Sequence, residues 1–315
     1  MKIIDIAEEI NKALIIGVGG SGDIVSALVV GEFFKLFDVE CVYGGVTWER
    51  YIRDPKPGPR AIEEIKNCRR INKCLAWINK NSYVDNLKLI ASQAAEFLNK
   101  EVVGIDLTKG VNDIKESLEE FIRMEKIDLI VGVDAGGDSL ARGNEKRLRS
   151  PLADSIMLCV LAKLPSILAV VGFGSDGELE RWELEKYLSE IAEKGGLLGV
   201  SQIPKEYAEK MIDFIKDIQT EASRIPILAA TGYFGEYTVR GWSINVSILN
   251  SLIFYLDTKV IYELSPLPKA VENSKSIWEA NEMLHKLGIK TELDFELEKC
   301  SGRDLNPGHR LERPV

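Results

Sequence analysis

Residues 127–133 form a mostly apolar run that stops abruptly at the string DAGGD of residues 134–138. A short apolar run bounded by turn-forming residues is typical of a buried strand. Strands that are covered on both faces occur mainly in parallel sheets with helices on each side. The run therefore predicts a buried strand whose end places glycines and carboxylates at the edge of a sheet.

The rest of the chain alternates between strand-like and helix-like patterns, which predicts an α/β fold. We expect a mostly parallel, Rossmann-like doubly wound sheet with helices on both faces. The apolar patterns predict strands at 13–16, 39–43, 102–107, 127–133, 167–171, 227–230 and 259–264. They predict helices at 23–36, 87–99, 111–125, 151–164, 179–194, 204–224, 243–256 and 277–287.

No internal repeat or composition break divides the chain, so we expect a single α/β domain over residues 1–298. Residues 47–86 begin with a polar passage that contains three prolines, and we expect this segment to form a lid or an insertion. Residues 299–315 show no periodicity, and part of them reads like the translation of a reversed transfer-RNA gene. We therefore expect a non-native or disordered tail.

The composition is that of a water-soluble globular protein, with 45% hydrophobic and 28% charged residues. The formal charge is −9 and no long basic block occurs, which argues against nucleic-acid binding. No apolar stretch is long enough for a bilayer span and the N-terminus lacks a signal-peptide pattern, so we expect no membrane association and a cytoplasmic location. Scarce glutamine beside abundant Glu, Lys and Ile points to a thermophile.

Histidine and cysteine are too few for several common kinds of site. The five cysteines form no CxxC pair, which argues against a zinc site or a disulfide framework. Of the two histidines, His309 lies in the expected tail and His285 lies in a helical pattern typical of a surface position. A Ser-His-Asp or Cys-His mechanism would depend on His285. Chemistry in this chain is therefore expected to use carboxylates, lysines, hydroxyls or a metal.

Four predicted loops combine glycine with polar or acidic residues, and each follows a predicted strand. Ligands in an open parallel sheet bind outside the carboxyl ends of the strands. If the sheet is parallel, all four loops lie on one edge and border one site. The loops are residues 17–23, 134–138, 172–178 and 231–236.

The first loop has the spacing GxGxxG between a predicted strand and a predicted helix, as in phosphate-binding turns. Backbone N–H groups and the positive helix end favour an anion, so Gly17, Gly19, Gly20, Ser21 and Gly22 are candidate cofactor-binding residues. The alternative is a tight turn that strand–helix packing requires. An acid at position 23, and the lack of one after the second strand, argue against a dinucleotide.

The second loop carries the acids most suited to chemistry. Asp134 and Asp138 flank a Gly-Gly turn, and Glu145 and Asp154 follow. Carboxylate oxygens bind Mg²⁺ or Mn²⁺, and Asp134, Asp138 and Asp154 are the expected metal ligands. Carboxylates held together repel, which keeps one protonated, so Asp134, Asp138 and Glu145 are the candidate catalytic residues. The alternative is that these acids cap turns and the first turn of a helix.

Asp176 in the third loop and Thr231 in the fourth are further candidate cofactor-binding residues. Both loops would complete the same pocket in a parallel sheet. For Asp176, capping of the helix that follows is the simpler alternative.

Three strings of this chain resemble an archaeal family of conserved proteins of unknown function. The strings are GVGGSGD at residues 17–23, GVDAGGDSLARGNEKRLRSPLADS at 132–155 and GFGSDGEL at 172–179. The likeness spans the body of the chain to about residue 297 and excludes the tail. It supports the fold and the position of the site, and it implies no particular chemistry. Over a few residues, the Asp-Gly-Gly loop also resembles metal-binding loops of glutamate cyclase-like proteins.

The sequence thus predicts a divalent-cation-dependent enzyme, of the hydrolase, lyase or transferase kind, that acts on a small anionic metabolite or nucleotide at the carboxyl edge of the sheet. Two alternatives stay open: a non-catalytic nucleotide-binding sensor or regulatory protein, and an NAD(P)-dependent oxidoreductase. Homo-oligomer formation is a further open expectation.

Overall fold

The computed structural model describes residues 2–239 and 241–304. The strands are β1 (Lys12–Gly17), β2 (Glu40–Val46), β3 (Arg69–Arg70), β4 (Leu75–Ile78), β5 (Tyr83–Val84), β6 (Leu87–Lys88), β7 (Val102–Ile105), β8 (Leu129–Ala135), β9 (Ser166–Val171), β10 (Leu197–Gln202), β11 (Gly235–Val239), β12 (Trp242–Val246) and β13 (Leu252–Asp257). The helices are α1 (Ile3–Glu9), α2 (Asp23–Lys35), α3 (Ile90–Leu98), α4 (Val111–Glu125), α5 (Pro151–Leu161), α6 (Arg181–Glu193), α7 (Lys205–Lys216), α8 (Arg224–Ala230), α9 (Thr258–Leu264), α10 (Pro266–Ala270), α11 (Ile277–His285) and α12 (Glu292–Asp304). Short 3₁₀ turns occupy Ile62–Glu64, Asp138–Leu140 and Ile248–Ser251.

A nine-stranded sheet forms the centre of the protein, in the order β10-β13-β9-β8-β1-β2-β7-β4-β3. The five central strands, from β9 to β7, run parallel. The two strands beyond each end of this group pair antiparallel with their neighbours. The mostly parallel α/β sheet that the sequence predicts is therefore confirmed.

The two faces of the sheet carry two separate hydrophobic cores. Along β1, Leu14 and Ile16 belong to the core that contains α5, whereas Ala13 and Ile15 belong to the core that contains α2. This alternation is the two-residue period of a strand. It confirms the expectation that helices cover both faces.

Helix α5 is buried along all of its 11 residues, because α4, α10 and α11 pack around it. Pro151 begins the helix, at a position where a missing N–H group costs nothing. Complete burial here reflects the interior of a globular fold. Across the described residues, no helix has both the length and the apolar character that crossing a bilayer requires.

Two predicted strands are helices in the structure. Residues 227–230 belong to α8, and residues 259–264 belong to α9. Short apolar runs suit either a strand or a turn of buried helix, so the pattern alone misassigns them. Helix α9 begins after Asp257, whose carboxylate accepts hydrogen bonds from the Lys259 and Val260 N–H groups. This N-cap indicates the start of a helix, and a prediction from the apolar pattern alone does not take it into account.

The predicted helix at 243–256 is instead the two strands β12 and β13, which a 3₁₀ turn joins. In β12, the exposed Ser243 and Asn245 alternate with the less exposed Ile244 and Val246. That alternation is the period of a strand. Strand β13 inserts antiparallel between β9 and β10, a position that depends on distant strands rather than on local sequence.

Residues 47–86, expected to form a lid or an insertion, add β3 and β4 to one edge of the sheet and contribute β5 to a hairpin with β6, which follows the segment. Arg50 and Ile52 of this segment line a cavity at the carboxyl edge of the sheet. The expected tail begins inside α12, which continues to Asp304. The rest of that tail, residues 305–315, lies outside the described residues.

Adjacent glycines on β2 provide a matched test of packing in the centre of the sheet. A Cβ at Gly44 would lie 2.5 Å from the Val103 carbonyl oxygen, whereas a Cβ at Gly45 would meet nothing closer than 3.4 Å. We expect Gly44→Ala to lower the free energy of unfolding by about 1–3 kcal/mol, because a neighbouring strand must move. Gly45→Ala should change it by less than about 1 kcal/mol. Urea denaturation measures both effects, and equal losses would contradict this packing.

Candidate metal centre

Strands β1, β8 and β9 are adjacent and parallel, so the loops that follow them share one edge of the sheet. These loops border a cavity of about 690 Å³. A cavity outside the carboxyl ends of parallel strands is where α/β proteins bind ligands. The sequence-predicted residues that line it are Gly19, Gly20, Ser21, Gly22, Asp138, Asp154 and Asp176.

The fourth predicted loop is not among the described residues that line this cavity. Thr231 ends helix α8, where its hydroxyl donates to the Leu228 carbonyl oxygen at 2.8 Å. The segment before it is a helix, so its end does not coincide with the carboxyl ends of the strands. Residues 216–222, where α7 ends and an irregular segment follows, line the cavity instead. The sequence predicts one continuous helix over residues 204–224, so it does not identify this irregular segment as part of the site.

Three aspartates form a buried cluster beside the cavity. Asp134 lies at the end of β8, Asp138 begins the following 3₁₀ turn, and Asp154 lies in the first turn of α5. One carboxylate oxygen from each lies within 4.8 Å of the other two. Gly136 allows the chain to turn between them: its φ is 122°, and a Cβ there would overlap the Asp176 carboxylate. The Gly-Gly turn therefore brings several acids close together.

The three carboxylates differ in their hydrogen bonds. Asp134 Oδ2 accepts from the Ser139 N–H at 3.2 Å and from the Ser139 hydroxyl. Asp138 Oδ2 accepts from the Ser150 hydroxyl at 2.9 Å. Asp154 is only 2% exposed, yet neither of its oxygens has a hydrogen-bond partner among the described residues. A buried carboxylate without donors is unfavourable, and a cation is the partner that would remove this cost.

The pKa values of all three aspartates lie above the ordinary value. Desolvation by burial is the largest cause in each case. The charges of Asp154 and Glu178 raise the pKa of Asp138 further, and the charge of Asp134 raises the pKa of Asp154 further. The Arg50 guanidinium acts in the opposite direction on the pKa of Asp154. A divalent cation would favour the charged forms, so the cluster is suited to bind one.

Asp176 and Glu178 hold neighbouring loops together. Asp176 Oδ1 accepts from the Glu178 N–H at 2.7 Å, which closes a turn. The Glu178 carboxylate accepts from the Arg149 and Ser150 N–H groups at 2.7 and 2.9 Å. Helix α6 begins at Arg181, so Glu178 reaches across to the start of α5 instead of capping its own helix. These bonds fix the loop that carries Ser150, a partner of the aspartate cluster.

Glu145 lies outside the cluster, and it is not among the described residues that line the cavity. Its carboxylate accepts from the Arg142 and Gly143 N–H groups, at 2.8 Å each, and from the Tyr187 hydroxyl at 2.6 Å. These bonds fix the shape of the loop between β8 and α5. These hydrogen bonds account for the burial of this residue, and its catalytic role stays a prediction.

The first glycine loop makes room for acidic side chains. A Cβ at Gly19 would lie 2.7 Å from Asp23 Oδ2 and 3.2 Å from Asp154 Oδ1. The Gly19 N–H donates to Asp23 Oδ2, and the Ser21 N–H donates to the Trp48 carbonyl oxygen, each at 2.9 Å. Two N–H groups of the expected phosphate cradle are therefore used within the protein. The carboxylates beside Gly19 also repel a pyrophosphate.

The remaining glycines of this loop serve close packing. A Cβ at Gly17 would lie 2.6 Å from the backbone of Asp23, and one at Gly22 would lie 2.7 Å from the Thr220 hydroxyl oxygen. For Gly17, the alternative of a tight turn between strand and helix accounts for the residue.

Two buried glutamates of α12 fasten loops of the site, and sequence patterns did not identify them. Glu292 accepts from the Leu152 and Ala153 N–H groups at 2.9 and 3.0 Å, at the start of α5. Glu296 accepts from the Trp48 indole N–H at 3.1 Å. These contacts join residues 140 and 248 positions apart. No local motif links such distant residues, so only the folded chain reveals the pairing.

The fold and the cluster define the class of this molecule: an α/β protein with an acidic candidate metal centre at the carboxyl edge of a mostly parallel sheet. The chain belongs to the DUF1152 family, described as a protein of unknown function, whose family model matches residues 14–300. No curated protein and no solved structure gives a significant match. The resemblance to a conserved family is confirmed, and the archaeal origin stays a prediction.

The aspartate cluster predicts an unusual pH dependence for protein freed of divalent cations. The folded-state pKa values of Asp138 and Asp154 lie above 3.8, so the folded state binds more protons than the unfolded state between 3.8 and the raised values. The free energy of unfolding should therefore fall as the pH rises through this interval, by up to about 1.4 kcal/mol per pH unit for each group. Urea denaturation at several pH values measures the slope.

Asp138→Asn is the comparison for this measurement, because it removes one titrating carboxyl from the cluster. We expect a shallower fall in stability with rising pH in the variant. Identical slopes in the two proteins would contradict the raised pKa of Asp138.

Proposed function

We propose that this protein is an enzyme that holds a divalent cation, Mg²⁺ or Mn²⁺, on Asp134, Asp138 and Asp154. The cation would act on a small anionic metabolite or nucleotide in the adjoining cavity. The observation that carries the proposal is the buried triad of carboxylates, and above all Asp154, whose oxygens lack hydrogen-bond partners among the described residues. All three side chains offer oxygen, the ligand atom that Mg²⁺ and Mn²⁺ prefer.

The cavity has the size and the charges expected for a small anionic ligand. Its volume of about 690 Å³ lies within the usual range for small-molecule sites. Arg50, Arg149, Lys216 and Arg224 line it together with the acids. A cation on the triad would add positive charge, and an anionic group of the ligand would be attracted to it.

The residues of the site support chemistry that does not need histidine. A bound divalent cation polarises a substrate oxygen or lowers the pKa of a bound water. Asp138 and Asp176 both line the cavity, and we propose them as the carboxylates that exchange a proton with the ligand. Metal-assisted hydrolysis, elimination and group transfer share these requirements.

The two alternative functions differ in how well they suit the site. A non-catalytic sensor would use the same cation and cavity and would differ in lacking turnover. An NAD(P)-dependent oxidoreductase is less compatible, because Asp23 and Asp154 lie beside Gly19, where a pyrophosphate would bind. The cytoplasmic location, the thermophilic origin and homo-oligomer formation remain predictions.

Asp154→Asn tests the metal centre directly. The substitution removes a charged ligand, so we expect the affinity for Mn²⁺ to fall at least tenfold, or about 1.4 kcal/mol, in isothermal titration calorimetry. The metal-free variant should be no less stable than the unmodified protein, because it loses a buried charge without donors. Asp106→Asn is the matched control, a buried aspartate outside both the triad and the lining of the cavity, and should keep full affinity. Equal Mn²⁺ affinities of the unmodified protein and Asp154→Asn would refute the centre.

Turnover separates an enzyme from a sensor. The protein is incubated with Mg²⁺ and a mixture of phosphorylated and carboxylated metabolites, and mass spectrometry records which compounds disappear. We expect the unmodified protein to convert at least one compound and Asp154→Asn to convert none. Retention of a compound without conversion would favour the sensor.

A further inference from the structure

Arg50 is a cavity residue whose side chain is held from two sides. Its guanidinium carbon lies 4.2 Å from the centre of the Trp48 ring, and its Nη1 lies 3.1 Å from Glu292 Oε1. Its backbone φ is 59°, a left-handed conformation that is unfavourable for a residue with a Cβ. The protein thus tolerates backbone strain at the position that carries this guanidinium, as proteins often do at functional sites.

Two adjacent glycines place this guanidinium close to a proposed metal ligand. A Cβ at Gly20 would lie 3.0 Å from Arg50 Nε, and a Cβ at Gly19 would lie 3.2 Å from Asp154 Oδ1. Consecutive positions of one loop therefore lie beside the guanidinium and the aspartate cluster. Arg50 and Asp154 also line the same cavity. An anion that binds a cation on the triad would lie beside Arg50.

A buried glutamate of α12 forms an ion pair with Arg50. This partner is Glu292, which also accepts from the Leu152 and Ala153 N–H groups. Glu292 therefore helps to hold the planar guanidinium at the cavity that Arg50 lines.

A phosphate is the anion that suits a hard cation and an arginine together. Mg²⁺ sites in proteins commonly combine one or two carboxylates with phosphate oxygens of the substrate. The guanidinium fork matches two phosphate oxygens. The cavity also adjoins a smaller one of about 190 Å³, and Arg149 and Lys299 line both. These two residues extend the positive lining toward the rest of a phosphorylated ligand.

We infer, on the basis of the divalent-cation function proposed above, that the ligand carries a phosphate group, which bridges the cation on the triad and the Arg50 guanidinium. Arg50 is then the residue that binds the phosphate directly, and Glu292 is the positioning residue that holds it. Loss of Arg50 has two opposite consequences. It removes a partner of the phosphate, and it removes a positive charge that repels the cation.

The test uses Mn²⁺ and inorganic phosphate with the full-length protein. Isothermal titration calorimetry measures Mn²⁺ affinity, and broadening of the ³¹P resonance by bound Mn²⁺ measures phosphate binding at the metal. We expect Arg50→Gln to weaken phosphate binding at least tenfold, while Mn²⁺ affinity stays equal or increases. Lys216→Gln removes a cation from the lining of the same cavity and should weaken phosphate binding less than about threefold. Acetate should not displace the phosphate.

The outcomes separate this inference from the function on which it rests. If Arg50 had a purely structural role, Arg50→Gln would weaken Mn²⁺ binding and phosphate binding together, which would contradict the inference. Arg50→Lys keeps the charge without the fork and should bind phosphate with intermediate affinity, which keeps the test valid if Arg50→Gln does not fold. Three results would overturn this inference but not the proposed function. One is that the Mn²⁺-bound protein binds no phosphate, another is that Arg50→Gln binds phosphate as tightly as the unmodified protein, and the third is that acetate displaces the phosphate. Failure of the unmodified protein to bind Mn²⁺ would overturn the proposed function.

Discussion

The closeness of three buried carboxylates is the constraint around which the site is built. Asp134, Asp138 and Asp154 lie away from water and within 4.8 Å of one another, an arrangement that their like charges oppose. Burial raises the pKa of all three groups, and neighbouring negative charges raise the pKa values of Asp138 and Asp154 further, so proton uptake relieves both costs. A divalent cation would relieve it more fully, because its ligands are already assembled. The proposed chemistry, and the phosphate expected beside Arg50, both depend on this cluster.

Other buried acids of the site have a different use. Glu178, Glu292 and Glu296 accept hydrogen bonds from N–H groups of loops that are distant in sequence. Such bonds stabilise a charged carboxylate inside the protein and hold the loops in a fixed arrangement. Asp154 has no such donor among the described residues, although it is equally buried. The presence or absence of internal donors therefore separates the acids that brace loops from the acid that is suited to a cation.

The parallel part of the sheet was largely predictable, because it depends on local patterns. Apolar runs followed by glycine and acid placed β1, β8 and β9 close to their true bounds, and the loops after them do share one edge. Prediction was wrong mainly after residue 224, where 227–230 and 259–264 are helical and 243–256 is extended. For residues 252–256, the antiparallel pairing of β13 with β9 and β10 decides the structure, and that pairing joins strands far apart in the chain.

The sequence by itself determined that glycine and aspartate end a buried strand, and therefore that acids gather at the carboxyl edge of a parallel sheet. Only the tertiary structure decided which acids meet. The expected metal ligands Asp134, Asp138 and Asp154 do meet, but only the folded chain shows that Glu145 holds a loop outside this group. It also brought Arg50 and Glu292 to the site. The reason is physical: periodicity and turn chemistry act over a few residues, whereas the packing of α5 and α12 sets contacts between residues more than a hundred positions apart.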